Sequence, residues 1–191
     1  MDDLGRALWL ALPVILGGLT HVAVIRAGWF AGLAVPLDGG LTVRSRRLLG
    51  DNKTARGALV MIAATSAWTA AQWLLHRAGV APWSWHPLHP SGIALWRFGP
   101  LMGAGYILGE LPNSALKRQL DIAPGAPAPG PRRALFWVLD QIDSFAGVVA
   151  LLCLVWCPPA AVVLWLLAIC LVVHPAVAAL MVLVGLKSRV G

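Results

Sequence analysis

The sequence predicts an all-α fold, a polytopic membrane bundle of five transmembrane helices. Three observations carry that expectation. Hydrophobic residues make up 59% of the 191 and charged residues only 12%, with a mean hydropathy of +0.76; a soluble domain of this length needs far more polar surface. Apolar runs of about 20 residues, the length that crosses a hydrocarbon core, recur along the chain. Ten Trp stand against one Tyr and four Phe, and Trp favours membrane interfaces. No polar stretch is long enough to build a core of its own, so residues 1–191 read as a single domain.

The elements follow in order. Residues 7–25 are uncharged, with His21 near the end, and form the first expected span. Residues 58–75 are an uncharged second run. Residues 83–90, Trp-Ser-Trp-His-Pro-Leu-His-Pro, read as an interfacial loop, and His86 and His89 there receive no function. The third span, 91–111, is apolar except for Arg97 near one end and Glu110 at the other. A proline- and glycine-rich linker, 124–131, cannot be regular and lets the fourth span pack back on the third. The fourth span, 134–156, is apolar except for Asp140 and Asp143. Cys157-Pro158-Pro159 separates it from the fifth, 160–186, because proline stops or kinks a helix. His21 and His174, inside apolar spans, are expected to make interhelical hydrogen bonds. Cys153, Cys157 and Cys170 form no CxxC motif and read as small buried hydrophobes.

Charge sets the orientation. Arg44, Arg46, Arg47, Lys53 and Arg56 follow the first span, Lys117, Arg118, Arg132 and Arg133 the third, and Lys187 and Arg189 the fifth. These eleven of the fifteen basic residues fall on one side, which the positive-inside rule makes cytoplasmic. The N-terminus, with Asp2 and Asp3, is then outside and the C-terminus inside. The first apolar run is too long, and its leader too acidic, for a cleaved signal peptide. The net charge of +7 reports topology rather than nucleic-acid binding.

Three segments carry chemistry on that cytoplasmic side. Gly50-Asp51-Asn52-Lys53-Thr54-Ala55-Arg56-Gly57 combines an acid that can hold a divalent cation with bases that can hold phosphate oxygens. It suits a nucleotide or a phosphorylated lipid, and equally a solvated basic loop that only sets topology. If helical, Glu110, Asn113, Ser114, Lys117 and Arg118 share one face that runs from acid to base. That face suits a metal-bound polyphosphate, or a snorkelling basic helix end. Asp140-Gln141-Ile142-Asp143 places two carboxylates at i,i+3 on one helix face, with Cβ atoms about 5–6 Å apart. Such a pair at a membrane edge needs a cation or a basic cluster to neutralise it, or else faces water at a helix N-terminus. Six of the eight acids, Asp38, Asp51, Glu110, Asp121, Asp140 and Asp143, lie with the bases.

In order and placement, the 50–57 block, Gly109-Glu110 with Ser114-Ala115-Leu116-Lys117-Arg118, and Leu139-Asp140-Gln141-Ile142-Asp143 resemble the CDP-archaeol synthase family, small membrane cytidylyltransferases related to phosphatidate cytidylyltransferases. Leu37-Asp38-Gly39-Gly40 is similar to the family's Asp-Phe-Gly element, with Gly39 in place of the aromatic residue. Glu110 stands where the family has Asp, and the linker before Asp140 is longer. The resemblance implies a multi-pass enzyme of the cell membrane whose cytoplasmic site turns CTP and a lipid phosphate into CDP-lipid and pyrophosphate. It implies one or two Mg²⁺ ions on Asp140 and Asp143, helped by Glu110 or Asp51. Lys53, Arg56, Lys117 and Arg118 would hold phosphate oxygens, with hydrogen bonds from Asn52, Thr54 and Ser114. Two rival readings stay open at this point. One is a CDP-alcohol phosphotransferase, whose longer acidic signature is absent; the other is a non-enzymatic scaffold or lipid-binding protein. A topology device needs only the bases, so the clustered acids favour the enzyme.

Overall fold

The computed structural model describes residues 2–80, 85 and 95–185. Five long helices dominate: α1 (Asp2–Arg26), α2 (Ala55–Arg77), α3 (Phe98–Gln119), α4 (Arg132–Leu152) and α5 (Ala160–Leu183). Consecutive helices pack on one another, and α5 returns to pack on α1. Four of them, α1, α2, α4 and α5, are long and apolar enough to cross a membrane. The expected loop at 83–90, except Trp85, the expected start of the third span at 91–94, and Lys187 and Arg189 lie outside the described residues.

Local chemistry explains the ends. Asp2 and Asp3 sit in the first turn of α1 and Arg26 in its last, as the helix macrodipole favours. Thr54 caps α2, its Oγ1 accepting from the Gly57 N–H at 3.1 Å. Gly79, at φ +73°, closes that helix, with its N–H on the His76 carbonyl. The break between α4 and α5 falls at the expected Cys-Pro-Pro turn, although α4 stops at Leu152 rather than Trp156.

Three expectations need correction. The third helix starts at Phe98 and runs through Pro112 to Gln119, so Glu110 lies inside the helix rather than at its end. Helix rather than loop therefore carries Asn113, Ser114, Lys117 and Arg118. The all-α reading also missed a two-stranded antiparallel hairpin, β1 (Thr42–Val43) and β2 (Arg46–Arg47), in the loop between α1 and α2. Its two central residues, Arg44 and Ser45, have φ of 51° and 62°, the signs of a type I′ turn. Finally, Cys153 and Cys157 are exposed rather than buried.

Close backbone approach fixes the helix pairs that matter. A Cβ on Gly105 would lie 2.6 Å from the Gly147 carbonyl oxygen, and one on Gly147 would lie 2.6 Å from Gly109 Cα. Gly105-x-x-x-Gly109 on α3 thus meets Gly147 on α4 backbone to backbone, the small-residue contact that joins membrane helices. Gly99 and Gly103 do the same for α3 on α2, facing Ser66 and Ile62. Beyond the glycines, Phe98, Met102 and Leu152 form one buried cluster, and Ala7, Leu10, Val162 and Leu166 tie α1 to α5. Ile122, Ala128 and Phe136 bury the linker against the start of α4.

Candidate active site

The segment between α1 and α2 is folded around one acid. Asp38 is buried; its Oδ1 accepts from the Gly40 N–H at 3.0 Å and from Arg47 at 2.8 Å, and its Oδ2 accepts from the Leu49 N–H at 2.9 Å. Burial pushes the Asp38 carboxyl up, but these hydrogen bonds and the Arg47 charge outweigh it and hold the acid well below the usual carboxylate range. Asp38 is therefore a fixed anion at neutral pH and organises the basic loop. Arg46 donates to Asp121 at 2.5 Å and to the Gln119 carbonyl, which docks the hairpin on the end of α3. Leu37 N–H on the Lys53 carbonyl and Ala55 N–H on the Val35 carbonyl, at 2.8 and 2.9 Å, stitch the two ends of the loop together.

That docking brings Lys53 onto α3, where it pairs with Glu110. One turn further along α3, Asn113 Nδ2 donates to Asp140 Oδ1 at 2.7 Å and to Asp143 Oδ2 at 2.8 Å. Lys117 pairs with Asp140, at 2.5 Å to Oδ2, and the Ser144 N–H donates to Asp143 Oδ1 at 2.6 Å. The two carboxylates of α4 thus meet α3, with the Asp140 side chain still 35% exposed. Arg118, 9% exposed, has Nε and Nη1 buried without a hydrogen-bond partner among the described residues. It lies under Gly50, whose φ of +111° excludes most side chains and where a Cβ would stand 3.2 Å from Arg118 Nη1.

The structure therefore brings together Lys53, Glu110, Lys117, Asp140 and Asp143, with Arg118 at the loop. It places the rest differently. Asp51 is exposed and pairs with Arg47 at 2.7 Å. Asn52 is exposed beside Gly50. Thr54 spends its hydroxyl on the helix cap, Ser114 is half-buried, and Arg56 donates to the Trp29 carbonyl at 3.4 Å, its Nε buried without a partner among the described residues. Sequence reasoning placed Asn113 on the polar face but missed that it bridges both acids.

The fit to a divalent metal rests on that amide. Among the described residues no three acid, His or Cys side chains converge as a metal set. Asn113 Oδ1, however, is buried with no partner among them, although Nδ2 serves both carboxylates. Turned over, the amide would present Oδ1 beside two carboxylates, which only a cation makes favourable. Two carboxylates and an amide oxygen are hard donors of the kind Mg²⁺ takes.

Comparison with known proteins gives the family. A family model described as CarS-like, CDP-archaeol synthase, matches residues 4–190. The chain belongs to the CDP-archaeol synthase family. It is 33% identical over 175 residues to a CDP-archaeol synthase of Methanopyrus kandleri, covering 90% of this chain and 84% of that one. A second CDP-archaeol synthase, of Aeropyrum pernix, is 32% identical over 166 residues, or 85% and 79% of the two chains. A solved structure described as an intramembrane enzyme for archaeal membrane lipid biosynthesis superposes with a TM-score of 0.63 at 29% identity, covering 89% of this chain and 90% of that one. Membership makes this chain a multi-pass membrane enzyme of the cytidylyltransferase class. The scaffold and phosphotransferase readings give way to it.

Proposed function

We propose that the chain is a Mg²⁺-dependent CTP:lipid-phosphate cytidylyltransferase with its site on the cytoplasmic face of the cell membrane. Arg118 carries this reading. A guanidinium nine-tenths buried, with no salt bridge to an acid among the described residues, is an uncompensated charge, and such a charge is tolerated where an anion binds. The lysines complement it. Glu110 and Asp140 pair with Lys53 and Lys117 and hold them close to the loop, where phosphate oxygens would replace the carboxylates as partners.

The reaction asks for positioning and charge neutralisation, with no covalent help from the protein. A lipid-phosphate oxygen attacks the α-phosphorus of CTP. The bond from that phosphorus to the β-phosphate oxygen breaks, and pyrophosphate leaves. Arg118, Lys53, Lys117 and Arg56 would orient the triphosphate and hold the charge that develops on it. Asp140, Asp143 and Asn113 would hold the metal, with Glu110 next to them. When bound, Mg²⁺ would neutralise the polyphosphate and stabilise the leaving group. All five long helices are taken to cross the bilayer, α3 with its polar face against α4, so that the N-terminus is outside and the C-terminus cytoplasmic.

Arg118→Met tests the reading in two ways. It should raise the melting temperature of the ligand-free protein, because an unpaired buried charge is removed. It should also weaken CTP binding by about one to three orders of magnitude, the range for a lost charged phosphoryl contact. Unchanged CTP affinity would overturn the assignment.

A further inference from the structure

Of the two histidines inside the helices, His174 behaves as a structural residue: its Nδ1 lies 2.9 Å from Gln141 Oε1 across α4 and α5. His21 does not. Its Nε2 is buried and has no hydrogen-bond partner among the described residues. The ring faces the first turn of α2. A Cβ on Gly57 would lie 3.2 Å from His21 Nε2 and 3.8 Å from its Cε1, so the glycine leaves the room that the imidazole fills. Thr54 Oγ1, 3.5 Å from the same Gly57 Cβ position, is committed to the Gly57 N–H. The charged groups that act on the ring are Glu110, Lys53 and Arg56, all members of the site already described.

His21 sits within its helix rather than in the loop. It lies five residues before Arg26 at the end of α1, about 7–8 Å below that end at 1.5 Å per residue. Arg118 lies at the loop, where its Nη1 would stand 3.2 Å from a Cβ on Gly50. Two anions must meet in this site. The triphosphate arrives from water, over the loop. The lipid phosphate is tethered by its tails and arrives from the bilayer, and His21 Nε2, below the end of α1, is a buried polar atom without a partner among the described residues.

We propose that His21 is a binding residue for the lipid substrate's phosphate monoester, its Nε2–H donating to an oxygen other than the attacking one. The inference rests on the cytidylyltransferase reading, and it concerns binding alone, so it is testable without turnover. The probe is a dialkylglycerol phosphate titrated into detergent-solubilised protein by native mass spectrometry. The same ether lipid with a free hydroxyl head serves as control, and CTP is titrated separately. His21→Phe should weaken the phosphate lipid by about 10- to 100-fold, the range for one hydrogen bond to a charged group, and leave the neutral lipid and CTP unchanged. His21→Gln, which keeps a donor near the same place, should recover most of the loss. Equal binding of the phosphate lipid by wild type and His21→Phe would overturn the proposal. So would a parallel fall in CTP affinity, or failure of His21→Gln to recover binding while it folds normally. A wild type that binds the lipid phosphate through His21 yet never consumes CTP would count against the enzymatic reading instead.

Discussion

Asp140 and Asp143 show how much chemistry a spacing reveals. Their i,i+3 separation put both carboxylates on one face, and the structure aims that face at Asn113 and Lys117. What spacing could not reveal was the partner: Asn113 sits one turn from Glu110 on a different helix, and only the α3–α4 contact brings it to the acids. Asp51 shows the reverse. An acid in a glycine-bounded basic block suggests a metal ligand, but Arg47, four residues earlier, takes it as an ion pair. Asp38 has a buried role that its short, glycine-rich context did not announce. Asp140→Asn or Asp143→Asn should lower kcat by about 100-fold or more while the protein inserts and purifies normally, because charge stabilisation of the transferring phosphoryl group is lost. Near-normal turnover of both variants at saturating Mg²⁺ would remove them from the metal site.

Helices were legible where hydropathy was high. The spans of α1, α2 and α5 began within five residues of their expected starts, since an uncharged run leaves little choice. α3 was not so legible. Its polar second half and Pro112 both argue for an end near Leu111, yet the helix continues, its polar face held by Lys117–Asp140 and Asn113 contacts. The hairpin at 42–47 was hidden for a similar reason, because Arg44-Ser45 lacks the Asn-Gly or Asp-Gly that marks a type I′ turn. The α3–α4 seam is the element on which the site depends. Gly147→Leu should separate the two helices, costing about 1–3 kcal/mol by overpacking and lowering activity more steeply than stability, since Asn113 would lose both carboxylates. Thermal melts and initial rates on the same preparation would check this; a stable variant with wild-type rates would show that the seam does not set the site.

At the scale of the whole molecule, composition alone announced a membrane protein, and the ordered motifs announced the family; the side of the membrane rests on charge asymmetry. In a background lacking Cys153, Cys157 and Cys170, single substitutions Ser45→Cys, Ser84→Cys and Ser188→Cys report that side with a membrane-impermeant thiol reagent. On intact cells only Ser84→Cys should label, and labelling of Ser45→Cys from outside would place the loop away from cellular CTP. The central claim, transfer of a cytidylyl group to a lipid phosphate, has a more direct test. Purified protein is given Mg²⁺, a dialkylglycerol phosphate and CTP labelled with ³²P at either the α or the γ position. The account predicts that α-label enters the lipid fraction as CDP-lipid while γ-label leaves as pyrophosphate. Label from the γ position in the lipid, or none from either, would contradict it.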